Sequence, residues 1–143
     1  MVALRLVLGV FWVERSHEKW DWFESGELQR RLQLYSERGE GLQKRYVDGF
    51  CLPYHRPLLY LVVFGEMAVG LSFLLGYLTR VAVGGGAFMA LNFLFAQGSL
   101  LEWGFLANPY GPLLITAMMV AAYGGGEEVL NLRLRRPHKE IFL

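Results

Sequence analysis

Residues 57–78 contain one charged side chain, Glu66, and residues 81–101 and 103–126 contain none. A run of about 18 or more residues with almost no charge reads as a candidate membrane-spanning helix. Three such runs in a chain of 143 residues leave little length for a water-soluble domain. Composition agrees with this. The chain is 54% hydrophobic and 19% charged, where ordinary globular chains are roughly 45–50% apolar and 25% charged. A net charge of +1, with no basic patch interleaved with aromatics, argues against nucleic-acid binding. The single cysteine, Cys51, excludes an intrachain disulfide and any dithiol chemistry within the chain, and reads as a small apolar filler.

The first apolar stretch, residues 2–13, is too short to cross about 30 Å of hydrocarbon at about 1.5 Å per residue. It has a weak basic start at Arg5 and no small-residue cleavage site, so it reads as a retained first span and not as a secretory signal. To cross, its helix must continue to about residue 22, carrying Glu14, Arg15, His17, Glu18 and Lys19 with it. Trp20, Trp22 and Phe23 then fit an aromatic belt. The expected fold is all-α: an integral membrane, antiparallel four-helix bundle with spans near residues 2–22, 57–78, 81–101 and 110–130. Residues 24–50 connect the first two spans. There Leu28, Leu32 and Tyr35 recur at helical spacing, which predicts an amphipathic helix lying on the membrane surface. Ala82, Gly86 and Ala90 form a small-residue row on the third span that permits close helix packing. Gly124–Gly126 before Glu127 and Glu128 mark the exit from the fourth span. Arg80 and the basic tail at Arg133, Arg135, Arg136 and Lys139 place both termini on the cytoplasmic side. The basic residues of the first connection oppose that orientation.

Ionisable groups inside a span are costly and so mark functional candidates. Counting helical rise from the predicted span ends puts Glu14, Glu66 and Asn92 in one layer, with Arg15 beside them as counter-charge. His17, Glu18 and Gln97 fall in a second layer nearer the outer face. Glu14 and His17 also form half of the Glu-x-x-His pattern of di-iron bundles. No second copy exists, so no metal is expected. No haem-attachment, phosphate-loop or nucleophile-elbow motif occurs.

The order of "LRLVLGVFWVERSHEKWDWFESGEL", "FGEMAVGLSFLLGYLTRVA", "MALNFLFAQG" and "NPYGPLL" resembles the DoxX family. It is most similar to the DoxD branch, the small membrane subunit of thiosulfate:quinone oxidoreductase. The positions carrying the resemblance are Lys19, Trp20, Glu66, Gly70, Gly76, Thr79, Arg80 and Asn92. Where family members often have a glycine before the lysine, this chain has the charged "ERSHEK". The resemblance implies a multi-pass protein of the prokaryotic cell membrane. It also implies electron transfer from thiosulfate or a related sulfur donor to membrane quinone, alongside a second subunit or in a homo-oligomer.

Two functions from different classes follow. In a redox subunit, Glu14 and Glu66 handle protons, while Arg15, His17, Lys19, Asn92 and Arg80 bind quinone or the sulfur substrate. In a structural or assembly subunit, the polar layer only fixes helix register. A transporter is the third reading, and the lack of an internal repeat weighs against it.

Overall fold

The computed structural model describes residues 2–98, 108 and 111–123. The far end of the predicted fourth span, the Gly124–Gly126 stretch, the basic tail and residues 99–101 of the third span lie outside the described residues. Every regular element described is helical. The elements are α1 (Val2–Glu18), α2 (Trp22–Ser25), α3 (Glu27–Arg38), α4 (Gly41–Tyr46), a π-helical turn (Val47–Cys51), α5 (His55–Leu75), α6 (Thr79–Gln97) and α7 (Pro112–Tyr123).

Only α5 and α6 are long and apolar enough among the described helices to cross a membrane. At about 1.5 Å per residue, 21 residues of α5 extend about 31 Å, the thickness of a hydrocarbon layer. Their outward faces are apolar and exposed, through Tyr60, Leu61, Phe64 and Leu71 on α5 and Val81, Phe88 and Leu91 on α6.

α1 lies antiparallel to α5. Its buried residues, Arg5, Leu8, Gly9, Trp12 and Ser16, recur every three or four positions and form one stripe. Gly9 and Gly70 let the two backbones touch: a Cβ on Gly70 would lie 2.8 Å from the Val13 nitrogen and 2.9 Å from the Gly9 carbonyl oxygen. α6 packs on α5 and α7, and α7 returns to α1. Ala82, Gly86 and Ala90 are all buried, as the small-residue row requires, and the space a side chain on Gly86 would take is filled by Met118, Trp12 and Val69. The α5–α6 turn closes through Gly76 and Leu78, both left-handed, with φ +71° and +54°.

Two expectations are corrected. The first helix does not run on to residue 22. It ends at Glu18, and turns lead into the short α2. Trp20 stays on the outer face, packed edge-on to Phe64, but Trp22 turns inward. The segment 24–50 is not laid on a bilayer by its apolar stripe. Leu28 and Leu32 are buried in a second core with Val47, Cys51, Leu59, Val63 and Ala96. The apolar face of α3 is therefore spent on the protein's own α5 and α6, and α2–α4 with the π-turn form a folded cover. Gln43 fastens that cover by donating from Nε2 to the Ala96 carbonyl oxygen on α6.

Candidate functional site

The centre of the site is a pair of opposite charges. Lys19 Nζ lies 2.8 Å from Glu66 Oε1 and 2.7 Å from Oε2, and the two side chains are only 6% and 0% exposed. Glu66 comes from the middle of α5, and Lys19 follows directly on the last turn of α1. Side chains on a helix lean toward its N-terminus, so the Lys19 stem runs back into the bundle. Its ammonium also donates to the Arg15 carbonyl oxygen at 3.3 Å. One turn deeper, Ser16 Oγ donates to the Val63 carbonyl oxygen at 2.8 Å and fixes the register of the two helices. Ionised groups this deep persist only when paired and hydrogen-bonded.

Beside the pair lies a cavity of about 250 Å³ between α5, α6 and the cover. Lys19 and Asn92 reach it from the α1 end and from α6, and Trp22, Tyr35, Tyr46 and Phe93 supply aromatic walls. The ammonium stands 5.6 Å from the Trp22 ring centre and 5.6 Å from that of Phe93, distances at which a ring face attracts a cation. Across the cavity, Tyr46 donates from its hydroxyl to Asn92 Oδ1 at 2.6 Å, and Asn92 Nδ2 donates to the Phe88 carbonyl oxygen at 2.7 Å. Burial, with Cys51 nearby, pushes the Tyr46 phenol up to about 12. Burial also raises the Cys51 thiol, so its thiolate is scarce and it serves as a wall and not as a nucleophile. At the outer edge Arg31 lies over Trp22 at 4.8 Å and bonds Glu27 from Nε at 2.8 Å. Hydrogen bonds from Arg30 and Arg31 hold the Glu27 carboxyl below its ordinary value.

The predicted residues divide clearly. Lys19 and Asn92 are brought to one cavity, and Glu66 is buried behind Lys19 as its partner. Glu14 is exposed: on α1 it lies outside the stripe of Arg5, Trp12 and Ser16, so equal depth did not mean an equal face. The bonded counter-charge of Glu66 is Lys19 and not Arg15. Arg15 is about a third exposed and pairs with Glu18 at 3.0 Å within its own helix. His17 is exposed. Arg80 sits at the opposite end of the bundle, 5.2 Å over Tyr123, about 18 Å of helical rise from Asn92. Tyr46 and Trp22 were missed as site residues. Their signal was the aromatic content of a connection that folds back as a cover. Arg5 was also missed: it is buried, and its Nη2 lies 3.4 Å from the Phe73 carbonyl oxygen at the end of α5. There a cation suits the exposed carbonyls and the negative end of the helix dipole. Among the described residues no group of three or more His, Cys, Asp or Glu is placed to hold a metal.

The DoxX family profile matches residues 1–98, from α1 through the end of α6. The chain belongs to the DoxX family. The matched stretch contains both halves of the ion pair, the whole cover and the cavity. As a DoxX protein it is a membrane protein, in keeping with the apolar α5 and α6. Comparison with curated proteins and with solved structures gave no match.

Proposed function

We propose that this DoxX protein is a membrane redox subunit that binds the headgroup of a quinone in the cavity beside Lys19 and Glu66. The observation that carries this reading is the position of Lys19: its ammonium is tied to a buried carboxylate and also faces an aromatic-walled cavity. A quinone ring is flat and apolar, with an acceptor oxygen at each end. The aromatic walls suit its faces. The Lys19 ammonium suits one oxygen, by exchanging its long contact to the Arg15 carbonyl for a ligand acceptor. The Asn92–Tyr46 pair suits the other.

Reducing a quinone to a quinol takes two electrons and two protons. The quinone supplies the redox chemistry, and the chain supplies binding and protons. Lys19 donates a hydrogen bond to the nearer oxygen, and Glu66 holds the charge on Lys19 and takes part in proton delivery. The resemblance to the DoxD branch supports a reduced sulfur anion such as thiosulfate as the electron donor, delivered through a second subunit. It also favours four spans with both termini cytoplasmic in a prokaryotic cell membrane.

The rival reading, a non-catalytic assembly subunit, draws on the fact that the same pair clamps α1 to α5 across a separation of 47 residues. Purification from native membranes in a mild detergent separates the two. The redox reading expects extractable quinone that is lost in an Asn92→Leu variant. Stoichiometric protein partners with no quinone would overturn it in favour of assembly.

A further inference from the structure

The way into the cavity follows from which of its lining residues also face outward. α5 and α6 meet closely at Gly65, where a Cβ would lie 2.8 Å from the Met89 sulfur. Leu61 of α5, one turn toward the cover from Gly65, and Phe88 of α6, next to Met89, both line the cavity. Both residues belong to the cavity wall and to the outer surface at once, with 59% and 65% of their area exposed. They stand on the two helices long and apolar enough to cross a bilayer. On the cover's side of the cavity, Arg31 is held by Glu27 and laid over Trp22.

We propose that the cavity is entered sideways from the hydrocarbon layer, through a mouth framed by Leu61 and Phe88. Its ligand is then a lipid-soluble molecule with a planar polar head and a long apolar chain that remains in that mouth. This rests on reading the cavity as a headgroup site. Volume supports it: about 250 Å³ falls just below the roughly 300–1,000 Å³ of ordinary small-molecule pockets. That holds a ring and its substituents, and a long chain must leave through the mouth. Water has little to gain at an opening bounded by leucine and phenylalanine, whereas an apolar chain loses no solvation there.

The test compares two quinones with the same headgroup, one tailless and one with several isoprene units, binding the full-length protein in lipid nanodiscs. Affinities are corrected for partitioning into the lipid. With lipid as the reference, a chain that stays in the hydrocarbon mouth neither gains nor loses, so wild type is expected to bind the two compounds equally. A Leu61→Ser/Phe88→Ser variant, whose mouth is polar, should bind the tailed compound about tenfold more weakly than the tailless one, the loss from about two chain carbons brought against hydroxyls and water. Equal binding of the two compounds by the variant, or weaker binding of the tailed compound by wild type, overturns the mouth and leaves the headgroup site standing. No binding of either compound to wild type overturns both. Independently, a Phe88→Trp variant should show additional fluorescence that is quenched by lipids brominated on their acyl chains. Additional fluorescence that brominated lipid leaves untouched overturns the mouth whatever the quinones do.

Discussion

Lys19 and Glu66, 47 residues apart in the chain, share two hydrogen bonds of 2.8 and 2.7 Å in the interior of the molecule. The pair joins the end of α1 to the middle of α5, and its Lys19 member lines the cavity. Its two roles, clamp and site, have different consequences when its members are changed.

Removing one member strands the other charge in an apolar surrounding. Lys19→Met alone or Glu66→Met alone is expected to cost about 3–5 kcal/mol of stability. Replacing both leaves no charge behind, so Lys19→Met/Glu66→Met should recover most of that loss. Thermal unfolding of the three variants in one detergent checks this. Single variants as stable as wild type would mean the pair is not buried as described.

The glycines of the bundle should differ in tolerance. Gly70→Ala places a methyl 2.8 Å from the Val13 nitrogen and 2.9 Å from the Gly9 carbonyl oxygen, backbone that cannot rotate away. It should push α1 from α5 and lower the unfolding temperature. Gly85→Ala meets nothing within 4 Å and should stabilise α6 by up to about 1 kcal/mol, the helix preference of alanine over glycine. Melting temperatures measured side by side test the contrast. Equal effects of the two substitutions would contradict the Gly9–Gly70 crossing.

Tyr46 gives a pH signature. Its folded value, about 12, lies above the ordinary tyrosine value of about 10. Folding therefore favours the neutral phenol. That contribution is fully present below about pH 10 and is lost as pH rises through about 12. The difference in phenolate absorbance between wild type and Tyr46→Phe should appear only near pH 12. A difference already complete near pH 10 would place Tyr46 in water, away from Asn92.

Much of this was legible in the sequence, and the failures have physical causes. The α5 and α6 helices were visible in their lack of charge. Glu66 was visible as the lone charge in such a run, and the Ala82–Gly86–Ala90 row as a packing face. Asn92 was visible as a polar side chain inside the third apolar run, and it lines the cavity. Counting rise chose Glu14 and Arg15 as partners of Glu66, because depth along a helix ignores direction around it. It left Lys19 out of the layer, because its long stem carries the ammonium back toward the bundle. The cover was misread for a different reason. An apolar stripe shows that a helix face must be buried, and it does not say whether lipid or protein buries it. Leu28 and Leu32 are buried by protein.

The most direct test of the site is a titration with a tailless quinone, read by quenching of intrinsic fluorescence from Trp22 at the cavity wall. It compares wild type with the folded Lys19→Met/Glu66→Met protein. If the pair is a binding site, wild type shows saturable quenching. The double variant, though stable, then binds at least about tenfold more weakly, the equivalent of one lost charge-assisted hydrogen bond. Equal binding by the two proteins would show that Lys19 and Glu66 only hold the helices together.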